Sequence, residues 1–162
     1  TESCTFTTPG DGNVSIVIDG AATTNGAGFT LSLSEPMITT RFETYGADGR
    51  DMYLYNDPAL SHINAGYYWG SGSGSFTYDL VAGQTYYLKV IGYYTYDVGA
   101  YKVQVTQGTA SLTDYGTAAT DTAGEPGDNS ASGGSVLTLD TPLERYLSDS
   151  DVDWFVYTTP IP

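Results

Sequence analysis

Three aspartates alternate in Ser148-Asp149-Ser150-Asp151-Val152-Asp153. Carboxylates two apart on an extended strand share one face. Hard oxygen donors at that density suit Ca2+, which takes roughly six to eight oxygens in flexible geometry. The same run reads alternatively as a solvated acidic turn. Catalysis has less to work with. His62 is the one histidine of the chain, so a Ser-His-Asp triad or a multi-histidine zinc site would rest on it alone. It stands in Ser61-His62-Ile63-Asn64-Ala65-Gly66, a loop-like stretch with no nucleophile elbow, and reads as a surface histidine. No acidic residue is flanked by an aromatic substrate-binding pattern of the kind glycoside hydrolysis needs. An enzyme is not expected.

The aromatics are the other expressive group. Tyr86, Leu88 and Val90 suit the inward face of a strand, which leaves Tyr87 and Lys89 outward. Tyr93, Tyr94 and Tyr96 follow in a turn, and Tyr67, Tyr68 and Trp69 sit in another. Exposed Tyr and Trp give large contact area at low entropic cost, which makes these seven rings, Tyr87 included, candidates for gripping a polymer. The alternative is that they cover sheet faces and stack across strands. Asn13-Val14-Ser15 is the one glycosylation sequon. Cys4 is the sole cysteine, so no intrachain disulfide can form. It reads as a small buried apolar residue, with an intermolecular link as the alternative.

Short alternating runs must position these groups. Strands are expected at Cys4–Thr8, Asn13–Asp19, Gly28–Ser34, Met37–Thr44, Asp51–Asn56, Ser75–Val81, Gln84–Ile91 and Ala100–Thr106. Phe29, Leu31, Leu54, Leu88, Val90, Tyr101 and Val103 are the expected core. No segment sustains a 3.6-residue apolar period, so helix is expected to be nearly absent. Pro9-Gly10-Asp11-Gly12, Ala47-Asp48-Gly49, Gly70–Gly74 and Ala82-Gly83 carry turn chemistry. The stretch 109–134, rich in Thr, Ala, Gly, Ser and Asp, reads as an exposed linker. Apolar pattern resumes at Val136-Leu137-Thr138-Leu139 and closes in Asp153–Tyr157. The fold class expected is an all-β antiparallel β-sandwich, jelly-roll or immunoglobulin-like, with a C-terminal extension of one or two further strands.

Composition narrows the partners. The 162 residues hold 5 Lys+Arg against 19 Asp+Glu, a net charge of −14. Phosphate neutralisation needs a basic footprint, so a nucleic-acid partner is not expected. Docking on an anionic membrane surface is disfavoured for the same reason, and no apolar run approaches the roughly 20 residues of a helical span. Twenty Gly, 15 Tyr and abundant Thr and Ser are the composition of an extracellular β protein, secreted or on a cell surface. Thr1 reads as the start of a processed chain or of an excised fragment.

Two stretches of the chain match each other. Glu2-Ser3-Cys4-Thr5-Phe6-Thr7-Thr8-Pro9 aligns with Asp153-Trp154-Phe155-Val156-Tyr157-Thr158-Thr159-Pro160, an acid, an aromatic or thiol, an aromatic and Thr-Thr-Pro in the same order.

Three further segments carry a family resemblance. Asp51-Met52-Tyr53-Leu54-Tyr55-Asn56 is similar to an Asp-Leu-x-Leu-Tyr-Asp strand. Leu80–Val90, with Ala82-Gly83-Gln84-Thr85-Tyr86-Tyr87, and the following Gly99-Ala100-Tyr101-Lys102-Val103-Gln104-Val105 resemble Ala-Gly-x-Tyr-Tyr-x-x-Val and Gly-x-Tyr-x-Leu-x-Val. Glu125-Pro126-Gly127-Asp128 leading to Asp149-Ser150-Asp151-Val152-Asp153-Trp154-Phe155 resembles Glu-Pro-Asn-Asp followed by Gly-Asp-x-Asp-Trp-Phe, with Gly127 in place of Asn. Together they resemble the bacterial pre-peptidase C-terminal domain, a small β-sandwich appended to secreted peptidases and surface proteins. The resemblance implies a near-complete copy at 1–108, a linker at 109–134 and the start of a second copy at 135–162. It also nominates Glu125, Asp128, Asp151 and Asp153 to hold Ca2+, as linker and pre-strand acids do in collagen-binding relatives.

The order of these motifs implies a function. A chain carrying the opening motif after its later strands can place that motif in the next molecule, where an added strand satisfies an open edge. Such a heterologous contact does not close, and a head-to-tail filament or surface array results. Val136, Leu137, Leu139, Trp154, Phe155 and Tyr157 are the expected donor residues, and a second copy or a neighbouring repeat is the expected partner. The rival reading is an accessory module of a secreted peptidase that binds a polysaccharide or protein polymer through its tyrosines.

Overall fold

The computed structural model describes residues 35–46, 49–59, 61–68, 72–95, 97–108 and 129–161. The expected strands at Cys4–Thr8, Asn13–Asp19 and Gly28–Ser34, with Phe29 and Leu31, lie outside these residues. The described chain is nearly all strand: β1 Met37–Gly46, β2 Arg50–Tyr55, β3 Asn64–Tyr68, β4 Gly72–Val81, β5 Thr85–Gly92, β6 Gly99–Gln107, β7 Ser135–Val136, β8 Leu143–Leu147 and β9 Val152–Thr158. A single 3-10 turn at Ala131–Gly133 is the only helical element among the described residues. No helix there is long and apolar enough to cross a membrane.

Two sheets form, one in the order β4-β1-β6-β8 and the other β3-β2-β5-β9-β7. All pairings are antiparallel except β7 with β9. The all-β sandwich read from the alternation is therefore the observed fold. On β5 every second residue turns inward, and Tyr86, Leu88 and Val90 are buried. Between the sheets they meet Met52 and Leu54 of β2, Phe42 of β1, Leu80 of β4 and Tyr101, Val103 and Val105 of β6. Of the expected core, Leu54, Leu88, Val90, Tyr101 and Val103 are buried as anticipated. The chain crosses from β4 in one sheet to β5 in the other through Ala82-Gly83. Gly83 stands at φ 74, a left-handed turn that a Cβ would strain.

Three expectations are corrected. Residues 61–68 read as loop and turn, yet β3 runs through Asn64–Tyr68 and pairs with β2. Asn64, Ala65 and Gly66 carry no apolar alternation, so the ladder to β2 defines this strand. The tail of the expected linker is ordered: the 3-10 turn precedes Gly134, where an added Cβ would come 3.1 Å from the Trp154 carbonyl oxygen. Most importantly, residues 135–161 do not stand apart as the opening of a second copy. β8 pairs with β6 and β7 and β9 extend the other sheet, so both sheets include strands from this segment.

Candidate functional site

The most developed site of the described chain is the slot that β9 fills. Seven register pairs, from Thr85↔Thr158 to Ile91↔Val152, bind β9 to β5, while Ser135↔Phe155 and Val136↔Val156 bind it to β7. β9 is thus an interior strand, bonded along both edges. The sequence alternates to match: Asp153, Phe155 and Tyr157 are buried, and Val152, Trp154 and Val156 are half-buried on the outward face. Tyr157 meets Phe42 edge-on at 6.0 Å between ring centroids. Arg145 of β8 stacks its guanidinium over Phe155 at 5.9 Å.

Polar contacts fix the register. The Tyr101 hydroxyl donates to the Asp153 carboxylate in the core. The Arg50 guanidinium lies over the Tyr101 ring at 4.8 Å and donates to the Ala100 carbonyl. At the other end, the Thr159 hydroxyl donates to the Val81 carbonyl at 2.7 Å and accepts from the Gln84 N–H at 3.0 Å. The Thr159 N–H donates to the Gln84 carbonyl at 3.0 Å. A one-residue slip would turn Asp153, Phe155 and Tyr157 to the outward face and pull Thr159 from the β4–β5 turn.

The expected donor residues divide accordingly. Leu137, Phe155 and Tyr157 fill this chain's own core, with Trp154 outward, Leu139 half-buried and Val136 70% exposed. Within this chain they complete its own sandwich. Burial pushes the Tyr157 phenol above its ordinary value. The Thr40 hydroxyl opposes that shift, and the charge of Asp140 adds to it.

The metal candidates are not gathered. Glu125 and Asp128 lie outside the described residues. The shared face expected for Asp149, Asp151 and Asp153 is broken at Ser150, whose φ of 61 bends the chain before the strand begins at Val152. Asp151 instead caps this bend. Its carboxylate accepts from the Val152 N–H at 2.8 Å, from the Ser148 N–H at 3.4 Å and from the Asn129 amide at 2.7 Å. Asp153 points into the core onto Tyr101. The two carboxylates thus have different partners, and among the described residues no group of three or more His, Cys, Asp or Glu is placed to hold an ion.

The aromatic candidates are dispersed. Trp69 and Tyr96 lie outside the described residues. Tyr67 and Tyr68 fall on β3 with side chains outside the description. Tyr87 is outward and half-buried on β5, as expected. Tyr93 and Tyr94 pack at 4.6 Å on a bend, Tyr94 being 49% exposed. They border a cavity of about 340 Å³ together with Lys89, Asp97 and Asp151.

A better aromatic surface lies on the outward face of the five-stranded sheet. Tyr53, Lys89 and Trp154 stand in one row across β2, β5 and β9. The Lys89 ammonium is 5.9 Å from each of the two rings. Tyr55 packs on Trp154 at 5.2 Å, and His62 sits edge-on to Tyr53 at 5.3 Å. The alternation of Asp51, Tyr53 and Tyr55 carried this signal in the sequence. It is visible only once the order β2-β5-β9 is known. Comparison of the chain with protein-family models, with curated proteins and with solved structures finds no match.

Proposed function

We propose that this chain is a non-catalytic extracellular structural module, a subunit or repeat of a head-to-tail filament or surface array, similar in design to the pre-peptidase C-terminal domain. One observation carries the reading. The Asp153–Pro160 segment fills an interior slot beside β5, and the same residue pattern recurs at Glu2–Pro9. A unit with two copies of a slot-filling pattern is suited to an array in which strands pass from one unit to the next. The test is assembly. The purified full chain should scatter light increasingly with concentration and show filaments of uniform width by negative-stain microscopy. A chain that remains monomeric at every concentration reached would overturn the reading.

A second reading rests on the row Tyr53, Lys89 and Trp154. Planar rings beside an ammonium group suit an accessory module that grips a polysaccharide or a protein polymer such as collagen. Co-sedimentation with those insoluble polymers, lost on Trp154→Ala, would favour it.

A further inference from the structure

We infer that residues 129–161 act as a detachable clip that seats on the sheets of a second copy of this chain as well as on its own. The inference rests on the array reading and names the contact that would build it.

The segment is a block with its own internal contacts. β7 runs parallel to β9, and the Leu137 N–H donates to the Val156 carbonyl at 2.8 Å. Arg145 of β8 donates to the Ser135 hydroxyl at 2.7 Å while covering Phe155. None of these bonds has to break if the block moves as a unit. The block grips the remaining strands on both sheets: β8 on β6 over five register pairs and β9 on β5 over seven. The Tyr101–Asp153 bond and the Thr159 contacts with Val81 and Gln84 fix its position. A second copy offers identical partners, so exchange needs no new surface and keeps the same polar pairings as the closed form.

The connection permits both forms. Gly108 is bonded to the Thr39 carbonyl, near the β4–β5 turn, whereas Asn129 is bonded at the Val152 end of β9. Between them lie residues 109–128. At roughly 3.3 Å per extended residue this stretch reaches about 65 Å, well beyond the height of one sandwich. A flexible tether of that length would give the chain's own block an effective concentration on the order of millimolar. The exchanged form therefore gains on the closed form as protein concentration approaches that range. Exchange is slow, because lifting the block bares Leu88, Val90 and Tyr101.

The experiment locks the clip. Thr85 and Thr158 are register partners whose hydroxyls lie 3.0 Å apart at the surface. The full chain carrying Thr85→Cys, Thr158→Cys and Cys4→Ser is concentrated while reduced, then oxidised and run on a denaturing gel without reductant. Covalent dimers and higher ladders that increase with concentration are expected, against closed monomers in dilute solution. Protein oxidised while dilute should fail to assemble until it is reduced. Assemblies holding only intrachain disulfides, or a locked chain that assembles as well as the reduced one, would overturn the clip and leave the array reading standing. A reduced chain that never assembles overturns both. Tyr87→Cys with Val156→Cys, also in the Cys4→Ser chain, probes the same ladder two residues along. It serves if the first pair unfolds the protein.

Discussion

β8 and β9 follow one another in the chain and cover opposite sheets, yet they hold the sandwich in different ways. β9 lies between β5 and β7 and buries every second side chain. β8 is an edge strand that buries only Leu147 fully, with Leu143 packed against the core. Its Glu144 faces Lys102 at 3.7 Å and its Tyr146 is 37% exposed. Charge on an edge discourages pairing with stray strands, whereas alternation in an interior strand supplies core. β9 is thus the strand that specifies the slot, and β8 a cover that buries only Leu147 fully.

That contrast breaks first at Leu147. Leu147→Ala should destabilise the chain by about 2–5 kcal/mol in urea denaturation, as for other fully buried leucines. Glu144→Ala, on the same strand, should change stability by no more than about 1 kcal/mol, since the Glu144 side chain is 48% exposed. Comparable losses from both would mean that β8 is a core strand like β9.

The register bond of β9 comes next. Tyr101→Phe keeps the ring and removes the hydroxyl that Asp153 accepts in the core. Removing one partner of a buried hydrogen bond costs about 1–3 kcal/mol, so a loss of that size is expected. Thr159→Val should cost less, about 1 kcal/mol, because the hydroxyl's bonds with the Val81 carbonyl and the Gln84 N–H are neutral and lie at the margin of the slot. A larger loss from Thr159→Val than from Tyr101→Phe would move the register determinant from the core to the β4–β5 turn.

The sequence made β9 legible and β8 illegible for a physical reason. Asp153-Trp154-Phe155-Val156-Tyr157 places aromatics at every second position, the signature of a half-buried strand. In Leu143-Glu144-Arg145-Tyr146-Leu147 the inward residue between the two leucines is Arg145, whose guanidinium covers Phe155. A charged residue at an inward position hides the period of two. Similarly, Asp153 was legible as an acid in a motif but not as a core residue, because its partner Tyr101 lies 52 positions earlier. The alternation of Asp149, Asp151 and Asp153 implied one extended face through Ser150, and the left-handed φ there removes that shared face. The row Tyr53, Lys89 and Trp154 required the strand order, which alternation within one strand does not contain.

The smallest effect expected is an alkaline one, and it separates the two strands once more. Burial raises the Tyr157 phenol above its ordinary value of 10.0, with Thr40 opposing the shift and Asp140 adding to it. The unfolded phenol ionises first as pH climbs past its ordinary value, while the folded one keeps its proton. Stability contributed by this group is therefore complete below pH about 10 and declines as pH rises toward the folded value. Tyr55, also raised by burial, contributes in the same direction from the outward face. Tyr157→Phe should flatten part of the alkaline loss in urea midpoints measured between pH 9 and 11 (~2 units spanning the ordinary tyrosine value). Asp140→Asn should flatten less of it, since the Asp140 charge is a smaller cause than burial. An unchanged slope in Tyr157→Phe would mean that the β9 slot admits water to this hydroxyl, and that β9 sits as loosely as β8.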